Sequence, residues 1–174
     1  MARRLSKAQV LGTVSCKAHL SDSAAQRAAE AVIVERLGDL LDVKLTAGGR
    51  VSVGGGAYVE VDARSDESGV FVEAYARQGR LKGAQLKKVG QDILKLALLR
   101  RLPQYVDARI IIAFASPGAH DSIRGWLARA AEEFGVELMT VDIPADVREQ
   151  IIEAQQLQVM VNLTVDEALA LEDE

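Results

Sequence analysis

Cysteine occurs once in this chain of 174 residues, at Cys16, and histidine twice, at His19 and His120. A single thiol excludes an internal disulfide framework and a thiolate metal cluster. Two histidines far apart in sequence argue against a zinc site of nitrogen and sulfur ligands. Any metal is therefore expected to be a hard ion held by oxygen. Aromatic residues make up only 4% of the chain, so the composition does not suggest a base-stacking surface. No apolar run approaches the roughly 20 residues of a membrane-spanning helix. The start, Met1-Ala-Arg-Arg-Leu-Ser-Lys, lacks the apolar core and cleavage site of a signal peptide. The expectation is a cytoplasmic protein with no membrane partner. No internal repeat, low-complexity segment or obvious linker divides the chain, and 49% of it is apolar. That fits one domain over residues 1–174.

Charge is present but unevenly distributed. Between Arg77 and Arg101 there are eight basic residues and a single acid, Asp92, in a chain whose net charge is −4. The tail from Val165 carries Asp166, Glu167, Glu172, Asp173 and Glu174. A basic face beside an acidic body can hold a phosphate backbone, and it is equally the composition of a solvated helix.

Hydrophobic periodicity and turn residues set out the elements. Residues 1–20 form an N-terminal arm without a clear period. Ser21 or Ser23 can cap a helix running to about Asp42, with Ala29, Ile33, Leu37, Leu40 and Leu41 as its apolar stripe and Glu30 inside it. A strand starts at Val43–Leu45, Ala47-Gly48-Gly49-Arg50 reads as a turn, and Val51–Val53 as the return. Gly54-Gly55-Gly56 is no phosphate-binding P-loop, because no Lys-Ser or Lys-Thr follows and the next element reads as a strand. A hairpin tip or close backbone approach suits it better. From about Leu81 to Arg101 a helix is expected, with Leu86, Val89, Ile93, Leu96 and Ala97 buried and Gln85 and Asp92 on the margin. Pro103 ends it. The run Arg109–Ala115 reads as a strand buried on both faces. A helix to Phe134 capped by Gly135, a strand Val136–Val141 and a helix from Ala145 to about Met160 complete the order. Trp126 is expected to pack in the core, and His120 to lie in a capping region.

The most informative stretch is Tyr58-Val59-Glu60-Val61-Asp62-Ala63-Arg64, a turn at Asp66-Glu67-Ser68-Gly69, then Val70-Phe71-Val72-Glu73-Ala74-Tyr75. Period-two alternation puts Tyr58, Glu60 and Asp62 on one face and Phe71, Glu73 and Tyr75 on one face. A two-residue loop at Glu67-Ser68 sets Asp62 opposite Glu73. Like charges directly opposite destabilise a sheet, and a divalent cation would remove that penalty. A solvated polar face is the other reading.

A helix, a three-stranded meander with acids on its second and third strands, a basic helix and a buried strand resemble the core of the PD-(D/E)xK nuclease superfamily. The resemblance covers residues 21–115. It implies an α/β fold: a mixed central sheet flanked by helices, with a restriction-endonuclease-like αβββαβ core and a C-terminal αβα extension over residues 116–174. It further implies that Asp62 and Glu73 bind Mg²⁺ (or Mn²⁺), with Glu30 matching a helix ligand. The family's lysine two residues after the second acid is replaced here by Tyr75, a side chain that is neutral near pH 7. Lys88 is the first candidate to supply the missing ammonium and Lys82 the second, with Gln85 positioning. Arg77, Arg80, Lys82, Lys87 and Lys95 would meet a DNA or RNA backbone. Proteins of this type often pair to cut two strands, so a homodimer is an expectation of the resemblance. Two functions follow from it: metal-dependent phosphodiester hydrolysis, or a catalytically inactive nuclease fold serving in binding or assembly.

Overall fold

The computed structural model describes residues 26–170, with side chains as far as residue 157. The N-terminal arm, the capping serines Ser21 and Ser23, and residues 171–174 lie outside the described residues.

Five strands form one open mixed sheet in the order β1-β2-β3-β4-β5. They are β1 (Thr46–Gly54), β2 (Ala57–Ser65), β3 (Val70–Tyr75), β4 (Arg109–Phe114) and β5 (Val136–Thr140). The first three form an antiparallel meander, and β3-β4 and β4-β5 pair in parallel. Helix α1 (residues 26–41) precedes the sheet. Helix α2 (Ala84–Arg100) crosses from β3 to β4, and α3 (Pro117–His120) and α4 (Trp126–Phe134) link β4 to β5. Helix α5 (Ala145–Ala170) follows. No helix among the described residues is long and apolar enough to cross a membrane.

The alternation in β3 explains the layers. Phe71 and Tyr75 join Val89, Ile93, Leu96 and Leu99 of α2 in one apolar cluster, which extends to Leu127 of α4. Val70, Val72 and Ala74 point the other way, to Ala29, Ile33 and Leu37 of α1 and Ile151 of α5. β4 is buried on both faces from Ile110 to Phe114, as its unbroken apolar run implies. Each fully buried aliphatic side chain contributes roughly 1.5–3 kcal/mol, so β3, β4 and the facing stripe of α2 anchor the fold.

Several expectations need correction. Gly48 and Gly49 do not turn the chain; they lie within β1. A Cβ at Gly48 would collide with the Val61 carbonyl of β2, so the glycine there serves close approach of two backbones. The turn comes at Gly54-Gly55-Gly56, all at positive φ, where glycine is unstrained. The expected helix to Phe134 is two helices, broken before Gly125 (φ 60). Gly135 caps α4 in the left-handed conformation as expected. Trp126 is not core: it opens α4 and is 74% exposed. Leu40 falls outside the α1 stripe, 62% exposed. The last helix continues well past Met160.

Candidate functional site

The register pairs Ser65, Arg64 and Ala63 with Val70, Phe71 and Val72. One step further would set Asp62 against Glu73. There a side chain replaces the main chain: the Ala74 N–H donates to Asp62 Oδ2 at 2.8 Å. Asp62 is thus tied to β3 while remaining exposed. The turn that fixes this register contains Gly69 at φ 59, with the Ser68 N–H donating to Ser65 Oγ.

Glu73 behaves differently from Asp62. It is 1% exposed, in the layer between β3 and α2. A carboxylate taken out of water needs a counter-charge. Lys95 of α2 supplies it, with Nζ 2.6 Å from Glu73 Oε1. Lys95 is the only group among the described residues that meets that oxygen at ion-pair distance. Lys95 also reaches Asp92 Oδ1 at 2.9 Å. Asp92, 4% exposed, gathers three donors: the Tyr75 hydroxyl (2.6 Å), Lys88 Nζ (2.9 Å) and Lys95. Lys88 Nζ also lies 4.6 Å from the Tyr75 ring centroid, in cation–π range.

Lys88, Asp92 and Lys95 recur at a spacing of four and then three, so α2 presents them on one side. The same side carries Val89, Ile93 and Leu96 into the core, which draws Asp92 inward. Two acids, Glu73 and Asp92, and two ammonium groups thereby meet in one cluster. Asp62 and Glu30 stand outside that cluster. Glu30 is half-buried on α1 and accepts a hydrogen bond from Gln26 at 2.9 Å.

Protonation follows from these surroundings. Burial, with Asp92 and Asp62 nearby, pushes Glu73 up to about 8. Burial also raises Glu30; the Gln26 hydrogen bond opposes this and the Asp62 charge adds to it. Burial would raise Asp92 too, but the Tyr75 hydroxyl and the two lysines outweigh it and hold that carboxyl below its usual range. Burial would lower Lys95, but Glu73 and Asp92 overcome it and keep the ammonium charged. Burial and the bond to Asp92 push the Tyr75 phenol up, so it acts only as a donor.

Glu73 gives the fold a pH dependence of definite sign. The unfolded chain releases this proton near its ordinary value of 4.5, whereas the folded chain keeps it until about 8. Between those values the folded state holds more protons, so stability falls as pH rises, by an amount on the order of a few kcal/mol in total. Asp92 titrates below this window and contributes a constant amount within it. Urea unfolding at pH 5.5, 7 and 9 is expected to show wild type weakening and Glu73→Gln losing most of that slope.

The structure brings Glu30, Asp62, Glu73, Tyr75, Lys88 and Lys95 into one neighbourhood, with Gln85 at its edge. Gln85 accepts from the Lys82 N–H at 3.1 Å. Arg80 and Lys82 lie exposed on the loop between β3 and α2, and Lys87 is exposed on α2. Arg77, half-buried, faces a cavity beside Tyr75. Lys95 is not available as a surface cation for a nucleic-acid backbone, as the sequence suggested. It is turned inward onto the two buried acids, and it rather than Lys88 or Lys82 meets Glu73. Asp92 was legible only as a margin residue of the helix; its spacing from two lysines and its phase with the apolar stripe were the signals. Among the described residues no group of three or more His, Cys, Asp or Glu is placed to hold a metal. In comparisons with known proteins, no family model matches the sequence, and no curated protein and no solved structure matches it either.

Proposed function

We propose that this protein is a divalent-cation-dependent phosphodiesterase of the PD-(D/E)xK nuclease kind, hydrolysing DNA or RNA at the Asp62–Glu73 end of β2 and β3. The observation that carries this reading is the contact between Lys95 Nζ and Glu73 Oε1. It supplies from a helix the ammonium that Tyr75 denies the strand. The element order α1-β1-β2-β3-α2-β4 supports the reading, because it is the order the resemblance implies.

The donors available to a hard ion are carboxylate oxygens. Asp62 lies on the strand next to Glu73 and is exposed, Glu73 Oε1 would have to exchange its 2.6 Å contact with Lys95 for the ion, and the negative charge of Asp62 and Glu30 suits a divalent cation. Mg²⁺ is commonly held by one or two carboxylates, with water and substrate phosphate completing its shell, so a third acid is not required. Asp62 and Glu73 would hold the ion, and Glu30 would assist. When bound, Mg²⁺ or Mn²⁺ supplies Lewis acidity and a water of lowered pKa. The chain's own part is electrostatic. Lys95 holds positive charge beside Glu73, Asp92 fixes that ammonium, and Lys88 with Arg77, Arg80, Lys82 and Lys87 neutralises phosphate oxygens around the scissile bond.

A second reading, an inactive nuclease fold used in binding or assembly, has one observation in its favour. Asp92 already engages Tyr75, Lys88 and Lys95, a closed network that holds together without substrate. Cleavage of single- and double-stranded DNA and RNA with Mg²⁺, with Mn²⁺ and with chelator separates the two. The expected result is cation-dependent cleavage that falls at least about a hundredfold in Asp62→Ala, with a loss of stability no larger than the about 1–3 kcal/mol of the Ala74 N–H left without its acceptor. Equal rates in wild type, Asp62→Ala and Glu73→Gln would dismiss the site.

A further inference from the structure

Next to the acids lies a cavity of about 270 Å³ that shares Glu30, Arg77 and Lys88 with the site above. Its walls come from α1 (Gln26), the segment after β3 (Arg77), α2 (Gln85) and α5 (Ile151, Ala154 and Gln155). The α5 wall is fixed to the loop after β3. The Gln78 N–H donates to Gln155 Oε1 at 2.8 Å, and Gln155 Nε2 donates to the Gln78 carbonyl at 3.3 Å. Arg77 Nε is buried in this region and has no hydrogen-bond partner among the described residues. A buried N–H without an acceptor carries a desolvation penalty that a ligand oxygen would relieve. The lining sets the cations Arg77 and Lys88 against one acid, Glu30, whose carboxyl burial pushes towards the neutral form, and adds apolar surface from Ile151 and Ala154, which suits a group having both an anionic and a flat apolar part. The volume lies just below the roughly 300–1,000 Å³ of drug-sized pockets, which is room for one nucleotide and not for a double helix.

We propose that this cavity receives a single unpaired nucleotide next to the scissile phosphate, so that the substrate class is single-stranded nucleic acid, with Arg77 contacting the phosphate and α5 excluding the paired duplex. This rests on the phosphodiesterase reading of the adjoining acids. The physical reason for discrimination is the unstacking penalty. A nucleotide must leave a duplex stack to enter a walled cavity, whereas in a single strand little pairing is lost.

The test is fluorescence anisotropy of the full chain at low salt with chelator present. The probes are a short labelled DNA strand, its RNA counterpart and the corresponding blunt duplex. Single strands are expected to bind at least about tenfold more tightly than the duplex. Whichever of the DNA and RNA strands binds more tightly identifies the sugar. Arg77→Met, and separately Ala154→Trp, which fills the cavity from α5, should each reduce that preference towards unity. Two substitutions on different elements keep the test decisive if one of them misfolds. Duplex binding equal to or tighter than single-strand binding overturns the proposal, as does an absence of binding, or an unchanged preference in the folded variants. Because the readout needs neither cation nor cleavage, failure to cleave would count against the phosphodiesterase alone. A lost strand preference with cleavage intact would count against this cavity alone.

Discussion

Asp92→Ala is expected to destabilise the protein by about 3–5 kcal/mol, the range for breaking a buried ion pair from one side. Asp92 is the acceptor on which the interior of the site depends. Without it the Tyr75 hydroxyl loses its partner in a buried layer, and Lys88 loses its ion pair. Lys95 retains only Glu73, whose carboxyl tends towards the neutral form. Two further consequences follow from the chemistry. The phenol becomes a buried unsatisfied donor, which itself costs about 1–3 kcal/mol. An ammonium that is only 22% exposed at its side chain is left short of counter-charge. Urea unfolding of wild type, Asp92→Ala and Asp92→Asn measures this. Asparagine, which keeps an acceptor for Tyr75 but not the charge, should fall between the other two. A loss below about 1 kcal/mol for alanine would show that the network is not holding α2 to β3.

Lys95→Met is expected to lower cation-dependent cleavage by about 10²–10³-fold, the range for removing one preorganised charge from an active site. Its effect on stability should be milder than that of Asp92→Ala. Glu73 can stay neutral by holding its proton, and Asp92 keeps Tyr75 and Lys88. Lys88→Met makes the informative comparison. Lys88 is 55% exposed at its side chain and pairs with Asp92 rather than with Glu73, so its loss should reduce the rate by far less. A rate reduced more by Lys88→Met than by Lys95→Met would reverse the roles assigned here to the two ammonium groups.

The difference between those lysines shows what the sequence could and could not convey. Lys88 and Lys95 sit on the same side of α2, and helical spacing ranks neither above the other. Only the packing of Val89, Ile93 and Leu96 against β3 decides that Lys95 arrives at Glu73. The strand pair itself was legible. Alternation and a turn ending in Gly69 set the β2-β3 register, and the structure keeps it as far as Ala63 and Val72; beyond them the Asp62 side chain takes the Ala74 N–H. The burial of Glu73 was not legible, because an acid in an alternating strand looks the same whether a helix or water covers it. Local turn chemistry misled at Gly48 and Gly49. Two glycines read as a bend, yet both lie within β1, where Gly48 lets the strand approach the Val61 carbonyl. Trp126 misled for a related reason. A large aromatic is ordinarily buried, but the break at Gly125 rotates the start of α4 and leaves the ring in solvent.

The claim on which the rest stands is that Asp62 and Glu73 close on a divalent cation. Calorimetric titration of Mn²⁺ or Mg²⁺ into the full chain at pH 8–9, where Glu73 gives up its proton most readily, tests it directly. The account predicts saturable uptake at or below millimolar concentration, abolished in Asp62→Ala. Absence of uptake in wild type at millimolar concentration, or uptake unchanged in Asp62→Ala, would contradict it.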